Sequence, residues 1–414
     1  MEEKTLSSVF VFNCNYNGLA QIQSLGRKGV TVYALDTHRS VGSFSRYAKY
    51  IKVPDPLNDE DGFIAKLIEL AKSLNNKPLL LPTNDHWAET ISKHKLPLSQ
   101  YCIVSASDYN TTELLLDKFA FAKWCITNNY LVPEVYNFSE QSIDSFDYPI
   151  AVKAKGRRRA GAADNNKSYA QAADNLRFKI CYNKTELMQV IEYAKDQNIP
   201  IYAQKIVNGN SSSMRTIGVF AHNGSVKGIV FGKKIKGYPA QYGDCIVGEA
   251  LKVPDWAKKL VIDICKKLNY TGIAEFELME DSVTGVIYII EINPRSWSWI
   301  GVGPKAGVDL SWIAYKYLVL NTSEEQIIES CKDGKKVIFV KIFEDFLNSI
   351  YFYKKEGANY WHMSISEWIK QYKNKSKVVP EFSIDDPVIF IYTFIIFIRR
   401  ILGILKVKIK RLFY

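Results

Sequence analysis

Acids and an amide recur at short, regular spacing in one segment of this 414-residue chain. It runs Gly272-Ile-Ala-Glu275-Phe-Glu277-Leu-Met-Glu-Asp281-Ser-Val-Thr-Gly285-Val-Ile-Tyr-Ile-Ile-Glu291-Ile-Asn293-Pro-Arg295. The pattern predicts two strands joined by a turn from Asp281 to Gly285. Centring that hairpin on Val283 sets Glu275 opposite Glu291, and the two-residue strand period puts Asn293 on the same face. Ile287 and Ile289 are expected there too, so the face is not simply solvated. Like charges directly across a ladder destabilise it. A cation reverses that sign, and carboxylates with an amide oxygen suit magnesium held alongside phosphate oxygens. A purely structural hairpin with a mixed face gives the same pattern.

Two lysines extend the chemistry. Lys153 ends the apolar run Tyr148-Pro-Ile-Ala-Val-Lys153, where an unpaired ammonium is costly to bury. Lys118 follows Leu116-Asp117, and either lysine alone could be an ordinary surface residue. Between residues 154 and 178 a long irregular stretch carries Lys155-Gly-Arg-Arg-Arg159 and Gly161. It reads as a loop that covers a phosphate, a loop that recruits an anionic second substrate, or a solvated charge run. Cations that offset phosphate charge, backbone that covers it and acids that hold a bridging metal make a set suited to nucleoside triphosphates.

The elements that must position these groups alternate. Ser8–Cys14, Val30–Asp36, Pro78–Pro82 and Tyr101–Ser105 read as strands, with helices at 18–29, 61–74 and 85–94, the pattern of an open parallel sheet. After the first strand, Asn15-Tyr16-Asn17-Gly18 has one glycine where a dinucleotide fingerprint has three. Asp36 ends the second strand, where a ribose-binding acid would sit, yet without the glycines nicotinamide binding is not expected. A helix is expected over 112–128 and a strand over 149–153. Strands follow at 179–182, 201–207 and 215–220, with helices at 184–197 and 256–268. Thr83-Asn84-Asp85, at a strand end, reads as part of an acceptor site or as a helix N-cap.

Composition agrees with a globular chain of several domains. Hydrophobic residues make up 47% and charged residues 23%, which excludes disorder and fibrous repeats. The seven cysteines are scattered without a CxxC pair, so neither a disulfide framework nor a zinc site is expected, and the expected compartment is the reducing cytoplasm. Net charge is +11, without a nucleic-acid recognition motif, so nucleic acid is not an expected partner.

These residues together resemble the ATP-grasp superfamily of carboxylate–amine ligases, and within it the D-aspartate ligase-like group. Glu291-Ile-Asn293-Pro-Arg295 matches the superfamily's E-x-N-P-R motif, preceded by a strand acid, Glu275. Pro149–Lys153 is similar to the strand that carries the ATP lysine, and Asp117-Lys118 to the earlier Asp-Lys pair. Gln204-Lys205-Ile206-Val207-Asn208-Gly209 resembles the adenine hinge. The group likeness extends to Leu81-Pro-Thr83-Asn-Asp85 and to Phe382-Ser-Ile-Asp385-Asp386-Pro387.

The resemblance implies an α/β chain with an amino-terminal open parallel sheet over 1–112 and a two-lobed ATP-grasp unit over 113–320. The small lobe spans about 113–204 and the large lobe about 205–320. A C-terminal extension (321–384) and a hydrophobic, basic tail (385–414) follow. It implies ATP and Mg²⁺ as cofactors, with a carboxylate and an amine as substrates joined through an acyl phosphate, an amino acid being linked to an amine of a small or cell-envelope-related acceptor. Glu275, Glu291 and Asn293 would hold the metal, and Lys118 and Lys153 the phosphates. Gln204 and backbone groups of Lys205 and Val207 would meet adenine. Arg295 would stabilise the acyl phosphate and the oxyanion that follows. The acid expected after Gly209 for ribose is replaced by Asn210-Ser211-Ser212-Ser213, leaving Ser211 for a weaker contact. The alternative is an ATP-binding membrane-surface module without ligase activity.

The tail supplies that alternative's second half. Pro387–Ile398 is twelve residues without a charge, shorter than the about 20 that span a bilayer. Arg399, Arg400, Lys406, Lys408, Lys410 and Arg411 follow with no acid among them. The run reads as a peripheral anchor on an anionic inner leaflet, or as a core helix with a solvated end.

Overall fold

A computed structural model of the chain describes residues 6–138, 142–155, 175–176, 178–241, 243–323 and 326–410. Three sheets organise it. The first contains β1 (Val9–Phe12), β2 (Val32–Asp36), β3 (Ala48–Lys52), β4 (Leu79–Leu81) and β5 (Ile103–Val104), all parallel in the order β3-β2-β1-β4-β5. β1 and β4 are Val-Phe-Val-Phe and Leu-Leu-Leu, continuous apolar runs that need both faces covered. Phe10, Phe12 and Leu80 pack on Phe63, Leu67 and Trp87 on one side. Val9, Val11 and Leu81 pack on Trp297, Trp299 and Ile300 on the other. β3 is an element the sequence pattern did not indicate. Buried Asp36 accepts hydrogen bonds from Cys14 N (2.8 Å), Thr37 N (2.8 Å) and Ser40 Oγ (2.7 Å), so it braces the loop after β1 rather than awaiting a ribose.

The second sheet is antiparallel, in the order β6-β9-β7-β8, from β6 (Val135–Tyr136), β7 (Ile150–Ala154), β8 (Lys179–Cys181) and β9 (Ile201–Lys205). The helix Lys184–Asp196 packs on it through Leu187, Val190 and Ala194. The third sheet runs β14-β13-β10-β11-β12-β16-β17. Its strands are β10 (Met214–His222), β11 (Ser225–Tyr238), β12 (Asp244–Leu251), β13 (Gly272–Glu280), β14 (Ile287–Asn293), β16 (Val337–Val340) and β17 (Lys377–Val378), with β15 (Ile328–Glu329) beside β11. The long strands β11 and β12 were not expected from sequence. Strands β15, β16 and β17, all within 321–384, join this sheet.

The helix expected over 112–128 is two helices, Tyr109–Leu116 and Lys118–Thr127, broken at Asp117. Asp117 leaves helical geometry at ψ 97° and its carboxylate accepts from Phe119 N and Ala120 N, capping the second helix. Of the basic stretch expected as a covering loop, residues 156–174 lie outside the described residues.

The C-terminal segment returns to the first sheet. Buried Asp386 accepts from Gln23 Nε2 (3.0 Å), Ser45 Oγ (2.5 Å) and Arg46 N (3.0 Å), and Asp385 pairs with Arg27 at 2.6 Å. Glu381 is buried close by, and burial pushes its carboxyl up to about 8, with Glu344 adding to the effect. Between pH 4.5 and 8 the unfolded chain therefore releases a proton that the native state keeps, and stability falls as pH rises through that window. Glu381→Gln should flatten this slope and melt higher than the parent at pH 8, read by thermal denaturation across the pH range.

Candidate functional site

The cleft is built at the C-terminal ends of β1 and β4, neighbours in the first sheet whose connections run in opposite directions, the place where open α/β sheets bind ligands. Thr83 Oγ1 donates to Phe12 O and to Asn13 O (2.8 Å), joining the two strand ends. Asn84 caps the helix Asp85–Lys93 by accepting from His86 N at 2.9 Å, which leaves Asp85 at its first turn facing the cleft. A cavity of about 750 Å³ is lined there by Thr83, Asp85, Lys118, Lys153, Glu291, Asn293 and Arg295. A second, of about 400 Å³, shares Lys118, Lys153 and Glu291 and continues between β7, β9 and β13, lined by Gln204, Lys205, Val207, Lys234, Glu277 and Met279.

The hairpin enters this cleft in a register other than the expected one. Glu275 lies opposite Asn293 and Glu277 opposite Glu291, not Glu275 opposite Glu291. Two displacements cause the slip. The turn closes between Asp281 N and Val286 O (2.8 Å), one residue later than a turn ending at Gly285, and a bulge after Glu277 passes over Ile290. Together they shift the pairing by two residues, so the acids and Asn293 keep a common face. The bulge carries Ile289 to the opposite face with Phe276, Leu278 and Ile292, and Ile287 packs on that same cluster. Both isoleucines therefore leave the face on which they were expected.

Asn293 Nδ2 lies 3.2 Å from Glu275 Oε2 and 3.4 Å from Glu277 Oε1. Arg295 donates to Asp85 Oδ1 at 2.9 Å and stands 3.7 Å from Glu275. Lys118 pairs with Glu291, and Lys153 Nζ donates to Gln204 Oε1 at 2.6 Å. Burial pushes Lys153 down to about 8, with Lys118 as the repelling neighbour, against the pull of Glu291 and Glu277. Burial raises Glu275 to about 8, helped by Glu277 and Glu291 and opposed by Arg295 and Lys234. For Glu291 the burial penalty is overcome by Lys118, Lys153 and Arg295, which hold its carboxylate down at about 2. The Lys118 side chain keeps 46% of its exposure, so solvent screens this pair, and it remains open to exchange for a ligand.

The remaining expected residues divide. Val207 lines the slot with Ile206, and Gln204 faces it. The Lys205 N–H donates to Glu134 O (2.8 Å) and its ammonium to Asp147 (2.6 Å), so only the rest of its backbone can meet a ligand. Ser211 is not brought to the cleft. It is fully buried, and its hydroxyl sits where a side chain at Gly237 would be, 2.5 Å from that position. Two residues were missed. Glu277 was readable, because it shares the face of Glu275 by strand period. Buried Lys234 sits on the unexpected β11, where burial lowers and Glu277 and Glu275 raise its pKa, with a net rise.

Trp297, just beyond Arg295, packs over Gly218 of β10, where a Cβ would come within 1.9 Å of its ring. This close approach locks the segment after the hairpin against the sheet.

No protein-family model matches the chain. It is 26% identical over 275 residues to D-aspartate ligase from Enterococcus faecium (strain Aus0004), a match covering 61% of this chain and 62% of that protein. The chain thus spans less than two thirds of that relative's length. The N5-carboxyaminoimidazole synthetase structure from Staphylococcus aureus aligns with a TM-score of 0.60 at 15% identity, over 87% of this chain and 88% of that one. The chain shares the fold of that structure and is similar in sequence to D-aspartate ligase. Its sheets follow the same fold as L-amino acid ligase from Bacillus licheniformis (TM-score 0.57, 14% identity, 76% of this chain and 75% of that one). The biotin carboxylase domain of Hydrogenobacter thermophilus 2-oxoglutarate carboxylase, solved with MgADP and bicarbonate, matches at TM-score 0.58 and 17% identity, over 79% of this chain and 72% of that one.

The turn of the acidic hairpin is itself fastened. Asp281 accepts from Val283 N, Thr284 N, Asn208 N and Asn208 Nδ2 at 2.9 to 3.1 Å, and these bonds hold its pKa down at about 2. The stabilisation is present above the ordinary Asp pKa and is lost as pH falls through about 2. Asp281→Ala should cost about 2 kcal/mol at neutral pH and remove part of the acid-induced loss, measured by denaturation at several pH values.

Proposed function

We propose that this protein is an ATP-grasp enzyme, an ATP-dependent carboxylate–amine ligase that works through an acyl phosphate. The observation that carries the reading is the convergence of Lys118, Lys153, Glu277, Glu291, Asn293 and Arg295 on one continuous cleft. Among the described residues no group of three or more His, Cys, Asp or Glu side chains is ready to hold a metal alone. That fits Mg²⁺, which usually takes one or two carboxylates and completes its shell with water and phosphate oxygens. Glu277, Glu291 and Asn293 would hold it, with Glu277 in the part first assigned to Glu275. Bound there, the ion would neutralise charge on the phosphates. Glu275 would orient Asn293 and Arg295 from below.

Lys118 and Lys153 would bind α- and β-phosphate oxygens, Lys118 leaving Glu291 as it does so. Lys234 would reach the phosphates from β11. Adenine would lie in the slot by Gln204 and Val207, meeting Lys205 through its carbonyl. The substrate carboxylate attacks the γ-phosphorus and ADP leaves. The amine then attacks the acyl carbon, loses a proton, and expels phosphate as the C–N bond forms. Arg295, steered by Asp85 and Glu275, presents its planar fork to the acyl phosphate and the oxyanion. The seven described cysteines, all buried and unpaired, agree with a cytoplasmic setting.

Glu291→Ala and Glu277→Ala should each lower ATP turnover at least about a hundredfold, near 3 kcal/mol, while the melting transition persists. ATP turnover equal to the parent in either variant would remove that residue from the metal site. ADP release screened over amino acids, with mass spectrometry of the product, tests the reaction itself. Nucleotide binding without any coupled product would favour the module that binds ATP but does not ligate.

A further inference from the structure

The helix Pro387–Lys410 is 24 residues long, about 36 Å, twice the uncharged run that begins it. Within it Pro387–Leu405 has a mean hydropathy of 2.2, yet only 11% of that stretch is buried. A core helix would hide most of such a surface. Here one stripe is covered. Ile389 packs with Leu19 and Val41, Tyr392 stacks on Phe44 at 4.4 Å, and Phe397 stacks on Phe343 at 4.7 Å. Away from that stripe Ile391 and Leu402 keep 58% and 59% of their exposure, and Val388, Ile395, Ile398 and Leu405 are exposed as well. Ile384, just before the helix, is 88% exposed. Leaving this much contiguous apolar surface in water is unfavourable for a soluble face.

The charge pattern identifies what covers it. Exposed Arg399 and Arg400 follow the apolar turns, and Lys406, Lys408, Lys410 and Arg411 follow in sequence with no acid from 399 to 414. A second protein copy bearing the same basic end would repel it, whereas an anionic bilayer accepts both the apolar face and the charges. The packed stripe also sets the orientation. The helix is long and apolar enough to cross a bilayer, but Ile389, Tyr392 and Phe397 packed against the body favour a helix lying on the bilayer surface.

We propose that this face docks on an anionic lipid bilayer, with the helix lying in the plane of the interface. Tyr16 belongs to the cluster that seats Ile389 and Tyr392, and it also lines the large cavity beside Lys341 and Glu344. The docked helix therefore also braces one wall of the cleft.

The full chain is mixed with phosphatidylcholine vesicles, with or without phosphatidylglycerol, and floated on a density gradient. It should rise with the anionic vesicles, stay largely behind with phosphatidylcholine alone, and be released by salt or alkaline carbonate. Ile391→Glu with Leu402→Glu should abolish flotation while the melting temperature stays unchanged. Arg399→Gln with Arg400→Gln should weaken binding about thirtyfold, from about 1 kcal/mol per charge. The proposal is overturned if the parent never floats, if the glutamate variant floats as well as the parent, or if carbonate fails to release it. A lipid-free dimer that the glutamate pair dissociates would likewise overturn it, assigning the face to a second copy.

Discussion

Three carboxyl groups on one face of a single hairpin disfavour each other's ionisation, and much of the cleft's architecture answers that conflict. Glu275, Glu277 and Glu291 stand two residues apart or directly across a ladder, where like charges are unfavourable. Lys118 meets Glu291 from a helix that starts beside the cleft, Lys234 comes from the next strand but one, and Arg295 folds back from the end of β14. Each cation belongs to a different element, so the acids are compensated only when those elements are assembled. In the proposed reaction the phosphate-bound cation would meet these acids on one face, with Lys118 exposed enough to move.

Assembly is secured by apolar packing well away from the charges. Val9, Val11 and Leu81 of the first sheet share one core with Trp297, Trp299 and Phe339 of the third. That common core sets the end of β4 beside the end of β14, and Asp85 thereby reaches Arg295 across 210 residues of sequence. The Asp117 break performs a local version of the same task, since an unbroken helix would carry Lys118 in a different direction. At the chain's far end Asp385 and Asp386 tie the C-terminal segment back to the first sheet, and the apolar helix starts from that tie.

How much could be read beforehand depended on the range of the interaction. Parallel alternation, the helix starts at Glu60 and Asp85, and the lysine at the end of β7 are local patterns, and the structure has them within a residue or two. The motif Glu291-Ile-Asn293-Pro-Arg295 could be placed on a strand because the period of two is a property of the backbone. β11 escaped because glycines and lysines interrupt its apolar run, and β12 because Gly248 and Glu249 interrupt its own; neighbouring strands, not intrinsic preference, supply their stability. With β11 went Lys234. Ser211 looked available beside Gly209, but the close approach of Gly237 buries it, and nothing in the adjacent residues signals a glycine 26 positions away.

The sequence by itself determined which chemical groups exist, and that acids and amide share one face of a hairpin. The tertiary structure decided which acid meets which. A turn one residue longer and a single bulge moved the partner of Glu291 from Glu275 to Glu277, leaving the face unchanged because the two shifts sum to one strand period. Register is a sum of small local closures, each set by hydrogen bonds such as those around Asp281. Charge balance in the cleft is a sum over elements that meet only after the cores have packed.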